Sequence, residues 1–261
     1  SDPAKGTGDA LDAAYRVAEV LYHMERFPDA IEVLRVLADR SDLSVDRRIE
    51  ARTQQGICEL ETGDLDNAER TLRNVLTMYN EHPDKELIDE YFPAQAQFFV
   101  GEIFRLRYES IVLDANKSTE KLAEDLEYKS ELLLSAQGHY LRAIRIGNGY
   151  WATAAGQRIG QLYENMYEHM VHAPAPADLS SEEQEVYRAE LRKKIRVLIS
   201  KAITVYERTI EAAERIGAQS PFVEETRASL KRMKELLLAE AKAEEEAVPP
   251  PPPPPPPAKT K

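Results

Sequence analysis

Apolar residues recur at helical spacing along most of this chain. Leu11, Ala14, Tyr15, Ala18, Leu21 and Tyr22 fall on one face of a helix that runs from an Asp9 cap to about Met24. Ala30, Ile31, Leu34 and Leu37 form the inner face of the next, and Pro28 sits in its first turn, where a missing N–H costs nothing. Residues 56–76, GICELETGDLDNAERTLRNVL, show the pattern most compactly. A helix carrying Gly56 ends near Gly63, a Gly-Asp turn follows, and a second helix begins at Leu65 with Ala68, Leu72 and Leu76 inside. Such a hairpin cannot bury its own apolar face and needs neighbours of the same kind. Period-two runs of β-branched residues are missing, so little or no sheet is expected.

The later elements are longer. Phe98, Val100, Gly101, Phe104 and Leu106 predict a helix that continues toward Leu113, where DANKST (114–119) breaks it. Ser118 or Thr119 caps a helix with Leu122, Leu126, Leu132, Leu133 and Ala136 inside. Trp151, Ala155, Ile159, Gly160 and Tyr163 mark another, ended by the linker HAPAPADLS, whose prolines favour an extended path. Ser180 with Glu183 forms a capping box for a helix from about Ser181 to Ile216, closed by Gly217. A last helix, Phe222 to about Ala247, is apolar early and charged late, as a capping helix is. Residues 1–9 are small and polar and read as disordered; residues 10–247 form the helical body; residues 248–261 form a polyproline tail. Its nine consecutive prolines favour a polyproline II rod of roughly 28 Å, as a spacer or as a docking segment.

Composition agrees with a helical body. Of 261 residues only 11 are glycine, and nine of the 16 prolines lie in that one run. The formal charge of −12 disfavours a phosphate backbone, so no nucleic-acid role is expected. The best basic cluster, Arg188–Arg196, alternates with Glu185 and Glu190 and reads as a solvated helix face. Cys58 is the single cysteine; it rules out a disulfide framework and reads as a packed thiol. No stretch approaches the ~18 consecutive apolar residues of a membrane span. The chain begins SDPAKGTGD without methionine, which fits a mature product from which an export signal was removed.

The order of small and large residues resembles a tetratricopeptide repeat (TPR). Ala18, Leu21, Phe27, Ala30, Leu34 and Leu37 match the signature positions of a first repeat; Gly56, Gly63, Leu65, Ala68, Leu72 and Val75 match a second. The two units lie 38 residues apart, and the excess over 34 falls in the polar segment 39–47. Ala136, Tyr140 and Ala143, then Ala202 and Tyr206, stand where second-helix signature residues belong. The resemblance implies an all-α, right-handed TPR-like α-solenoid with extended third and fourth hairpins and a C-terminal capping helix. With a helix that ends in the Ala-Pro linker HAPAPADLS, then Ser181-Glu182-Glu183, Tyr187 and Leu191, then Lys201-Ala202 and Tyr206, residues 130–217 also resemble envelope TPR proteins of the myxobacterial gliding-motility (Agl–Glt) group. That likeness implies a periplasmic or outer-membrane-associated scaffold; a cytoplasmic adaptor using groove and proline tail is the alternative.

Carried over position by position, the TPR groove offers Tyr15, Glu19, Tyr22 and His23, then Glu50, Thr53, Ile57, Leu60 and Glu61, then Gln95, Phe98, Glu102 and Arg105, then Gln157, Gln161, Glu164 and Asn165; the candidate contacts are Tyr15, Glu19, Tyr22, Glu61, Phe98, Glu102, Arg105, Gln161 and Glu164. These residues are acidic with aromatics and lack the Lys/Arg clamp for a peptide carboxylate. The expected ligand is therefore a basic or neutral helix or peptide, anchored on Tyr15, Tyr22 and Phe98. The competing possibility is that the aromatics only pack between repeats. No phosphate loop, nucleophile elbow or cysteine cluster is present, so neither an enzyme nor a cofactor is expected. The one ligand-like histidine pair, His169 and His172, sits near a helix end without a third ligand, and no metal site is expected there.

Overall fold

The computed structural model describes residues 3–84, 88–114, 117–172, 175 and 179–247. The expected proline tail and most of the Ala-Pro linker lie outside the described residues. Nine helices follow in order among those described: α1 (Pro3–His23), α2 (Phe27–Ala38), α3 (Val45–Glu61), α4 (Leu65–Glu81), α5 (Tyr91–Ser110), α6 (Thr119–Ile146), α7 (Gly149–Val171), α8 (Ser181–Ile216) and α9 (Pro221–Ala247). Each packs on the next. Beyond neighbours, α3 meets α5, α5 meets α7 and α7 meets α9, while no two even-numbered helices make a comparable contact among the described residues. α3, α5, α7 and α9 therefore form one continuous row.

Local chemistry sets the boundaries. Ser44, Asp64, Ser118 and Asn148 each accept a bond from a backbone N–H of the first turn they cap. Ser180 and Glu183 bond reciprocally, as expected from the sequence. Gly217 ends α8 in the left-handed region at φ 66°. Two boundaries differ from the sequence reading. α1 begins at Pro3, whose fixed φ suits a first turn, so Asp9 lies within the helix and is not its cap. α5 stops at Ser110, because the Lys129 ammonium bonds the carbonyls of Tyr108 (2.8 Å) and Ile111 (2.9 Å) and so satisfies the helix end. That lysine is fully buried over the Tyr108 ring, and burial lowers its pKa to about 8.

One contact recurs along the array. In four successive hairpins the second helix presents a wholly buried alanine followed four residues later by a large side chain: Ala30/Leu34, Ala68/Leu72, Ala136/Tyr140 and Ala202/Tyr206. A small residue of the preceding helix faces three of these large side chains. A Cβ on Gly56 would come within 2.7 Å of Leu72, one on Gly101 within 2.6 Å of Tyr140, and one on Gly160 within 2.1 Å of Tyr206. At each of these contacts the large side chain occupies the space a Cβ would need, so a larger residue would have to push it aside. The core follows the same order: three apolar clusters run from α1–α3, through α3–α5, to α5–α9. α8 outruns this core at its start, where Gln184, Tyr187 and Leu191 are only half-buried and Ile195 is its first fully buried residue.

Candidate functional site: a cleft on the odd-numbered helices

Three odd helices enclose a cleft of about 460 Å³. Tyr15, Glu19 and Tyr22 supply one wall from α1, Glu50 and Gln54 another from α3, and Tyr91 closes it from the start of α5. The sequence reading places Tyr15, Glu19, Tyr22 and Glu50 there. Glu61 stands exposed nearby, and its charge raises the pKa of the Tyr22 phenol after burial itself. Tyr91 and Phe92 were missed, because EHPDKELIDEYFP reads as a connector. The signal was an aromatic pair directly before Pro93, a residue that opens helices.

The aromatic walls are held in place. The Tyr15 hydroxyl donates to the Arg47 carbonyl at 2.6 Å, and the Arg47 guanidinium lies 4.8 Å from its ring centre. Arg47 is itself fixed by Asp12 (2.8 Å) and Glu50 (3.0 Å). Burial, then Glu50, pushes the Tyr15 phenol up to about 12. Tyr22 stands edge-on to Phe27, with ring centres 5.6 Å apart. Cys58 and His23 border the same cleft, but no hydrogen bond between them occurs among the described residues. Burial and two glutamates push the Cys58 thiol up to about 12, which keeps it protonated and a poor nucleophile.

The remaining predicted residues lie elsewhere. Phe98 is 4% exposed and packs on Trp151 and Tyr140 at 5.1 and 5.4 Å, so it is a core residue and not an accessible anchor. Position in the repeat placed it in the groove; the wide Trp151 ring from α7 covers it. Glu102 is also buried, accepting from the Tyr140 hydroxyl, from Arg105 and from Arg158 at 3.0 Å. Arg105 reaches on to Glu109 at 2.6 Å, and Gln161 accepts from Arg158 at 2.6 Å. Arg105, Arg158 and Gln161 line a separate cavity of about 220 Å³ whose charges are mutually satisfied. Glu164 accepts from the Tyr206 hydroxyl (2.8 Å) and from Arg232 (3.1 Å). Of the nine predicted residues, then, Tyr15, Glu19, Tyr22 and Glu61 gather at one place.

Charge favours the same end. Residues 1–130 hold 28 acidic and 16 basic side chains, whereas residues 131–261 hold 18 of each, so the net −12 belongs to the half that forms the cleft. The His169–His172 pair is engaged otherwise: His169 stacks on Tyr108 at 6.2 Å, and His172 Nδ1 lies 2.8 Å from the Glu168 carbonyl. Among the described residues no group of three or more His, Cys, Asp or Glu side chains is placed to hold a metal ion. No described helix is long and apolar enough to cross a membrane. Compared with protein-family models and with curated proteins, the chain matches none.

Proposed function

We propose that this chain is a non-enzymatic scaffold, a right-handed TPR-like α-solenoid whose α1–α3–α5 cleft holds a basic or neutral peptide or helix. The observation that carries the reading is the cleft itself: open, aromatic-walled, with Glu19 and Glu50 in the acidic half of the chain. The recurring Gly–Leu and Gly–Tyr contacts support the repeat reading, because a TPR hairpin needs a small residue where its two helices touch. The resemblance of residues 130–217 to gliding-motility envelope proteins extends the proposal to assembly of a periplasmic or outer-membrane-associated complex.

The test is affinity capture from separated envelope and soluble fractions, with the full chain and a Tyr15→Ala/Tyr22→Ala variant of matching circular dichroism. Envelope proteins retained by the parent and lost by the variant are the expected result. Capture that is identical for both proteins removes the cleft from the proposal, and capture of soluble proteins alone removes the envelope.

A further inference from the structure

We infer that the cleft of α1, α3 and α5 is a receptor for proline-rich peptide with a basic end, and that its occupant is residues 249–261 of a second copy of this chain. This rests on the cleft reading above and names what fills it. The starting point is what a proline run can offer. Pro249–Pro257 contains no backbone N–H, so it cannot join a strand edge or donate to a groove. It can be held only by packing its rings against aromatic faces and by receiving hydrogen bonds on its carbonyls. The cleft supplies both. Tyr15, Tyr22, Tyr91 and Phe92 border it. The Tyr22 hydroxyl and the Arg16 guanidinium, also on its wall, have no hydrogen-bond partner among the described residues.

The charges match as well. Lys259 and Lys261 follow the prolines within four residues, and Glu19 and Glu50 stand in the cleft wall. Glu50 already pairs with Arg47, whereas Glu19 is exposed and has no ion pair among the described residues. Glu19 is therefore the residue assigned to a lysine. Prolines in the aromatic slots with a cation beside an acidic wall give the segment a direction as well as a site.

Geometry favours a second copy. α9 ends at Ala247, one residue before the prolines, and α7 and α5 separate α9 from α3. α9 starts beside the cleft, since Phe222 packs on Tyr150 at 5.4 Å and Tyr150 lies 6.4 Å from Tyr91, and its 27 residues carry Ala247 roughly 40 Å away along the helix axis. Nine prolines at ~3.1 Å per residue reach roughly 28 Å, less than that return path, so the run cannot come back to lie in the cleft of its own chain. Each copy offers one cleft and one segment, which is a head-to-tail contact able to build rings or open chains.

The experiment uses the full chain and a fluorescent synthetic peptide of residues 248–261. Anisotropy should show saturable binding that Tyr22→Ala weakens about tenfold or more. The charge reversal Glu19→Lys, at an exposed site that leaves folding intact, should weaken it severalfold, and high salt should do the same to the parent. Sedimentation velocity should show concentration-dependent assembly that excess peptide dissolves. A peptide that does not bind, or that binds regardless of both substitutions, overturns the inference. So does a chain that stays monomeric at every concentration, since the segment then docks internally or belongs to another protein. If the peptide fails while the Tyr15→Ala/Tyr22→Ala variant still loses its captured partners, this inference falls and the cleft reading stands.

Discussion

Replacing Gly160 by alanine tests the close helix contact that repeats along the array. The added Cβ would lie 2.1 Å from Tyr206 Cε1 and 2.5 Å from two further ring atoms, and the ring is fully buried. Overpacking of this kind costs about 1–3 kcal/mol. Moving the ring also strains the 2.8 Å bond from its hydroxyl to the Glu164 carboxylate, a charged bond that contributes about 1.5–3 kcal/mol. Against this, alanine gains about 1 kcal/mol of helix propensity. The net expectation is a loss of about 2–4 kcal/mol. Gly138 supplies the control, because the nearest side-chain atom to its added Cβ is 3.7 Å away on flexible Arg142. Gly138→Ala should therefore stabilise, by up to about 1 kcal/mol. Both are read by urea unfolding followed through the fluorescence of Trp151, the single tryptophan, which stands on the same helix as Gly160. The slope should stay constant while the midpoints move in opposite directions. In a Tyr206→Ala background the Gly160→Ala penalty should vanish. A Gly160→Ala protein as stable as its parent would refute the argument.

Two further outcomes follow from single residues. Burial, with Arg142 and Arg73 adding and Glu69 opposing, holds His139 at about 4 against an ordinary 6.5, and its Nδ1 stays 2.8 Å from the Gln97 amide. The unfolded chain then takes up the proton first, so stability should be complete above pH 6.5 and decline as pH falls toward 4; His139→Gln should remove that part of the slope in urea midpoints measured across the window. Glu25 occupies the left-handed region at φ 57°, at the turn position where the next hairpin uses Gly63. Glu25→Gly should raise the thermal midpoint, gaining about 0.5–1 kcal/mol, since the strain relieved exceeds the added chain entropy.

Helix order was legible because amphipathic spacing and capping are local. Ser180–Glu183, Gly217 and the Ala-x-x-x-large pattern of the second helices each announce themselves within a few residues. What was not legible depends on the partner across a contact. Phe98 and Glu102 occupy groove positions by count, yet Trp151 covers one and Arg158 and Tyr140 close over the other. Both covering elements belong to later, longer hairpins, whose reach no short periodic window shows. The stop of α5 is of the same kind: Lys129 reads as one charge in a charged helix, and only packing turns its ammonium onto the Tyr108 and Ile111 carbonyls. Tyr15 and Tyr22 could be placed because α1 and α3 belong to the nearly regular units.

The strictly consecutive packing of the helices has a consequence for how the chain acquires its fold. Every large interface joins segments adjacent or next-but-one in sequence, so few long loops must close before native contacts form. Folding should be rapid for the chain's size and able to start in any hairpin. The largest apolar cluster, on α5–α9, is the natural nucleus, and the α1–α2 hairpin, which borders a single neighbour, is the natural last arrival. The wall of the cleft that carries Tyr15 and Tyr22 is then also the first part to fray, and a ligand seated there would lend it the order that the rest of the array already possesses.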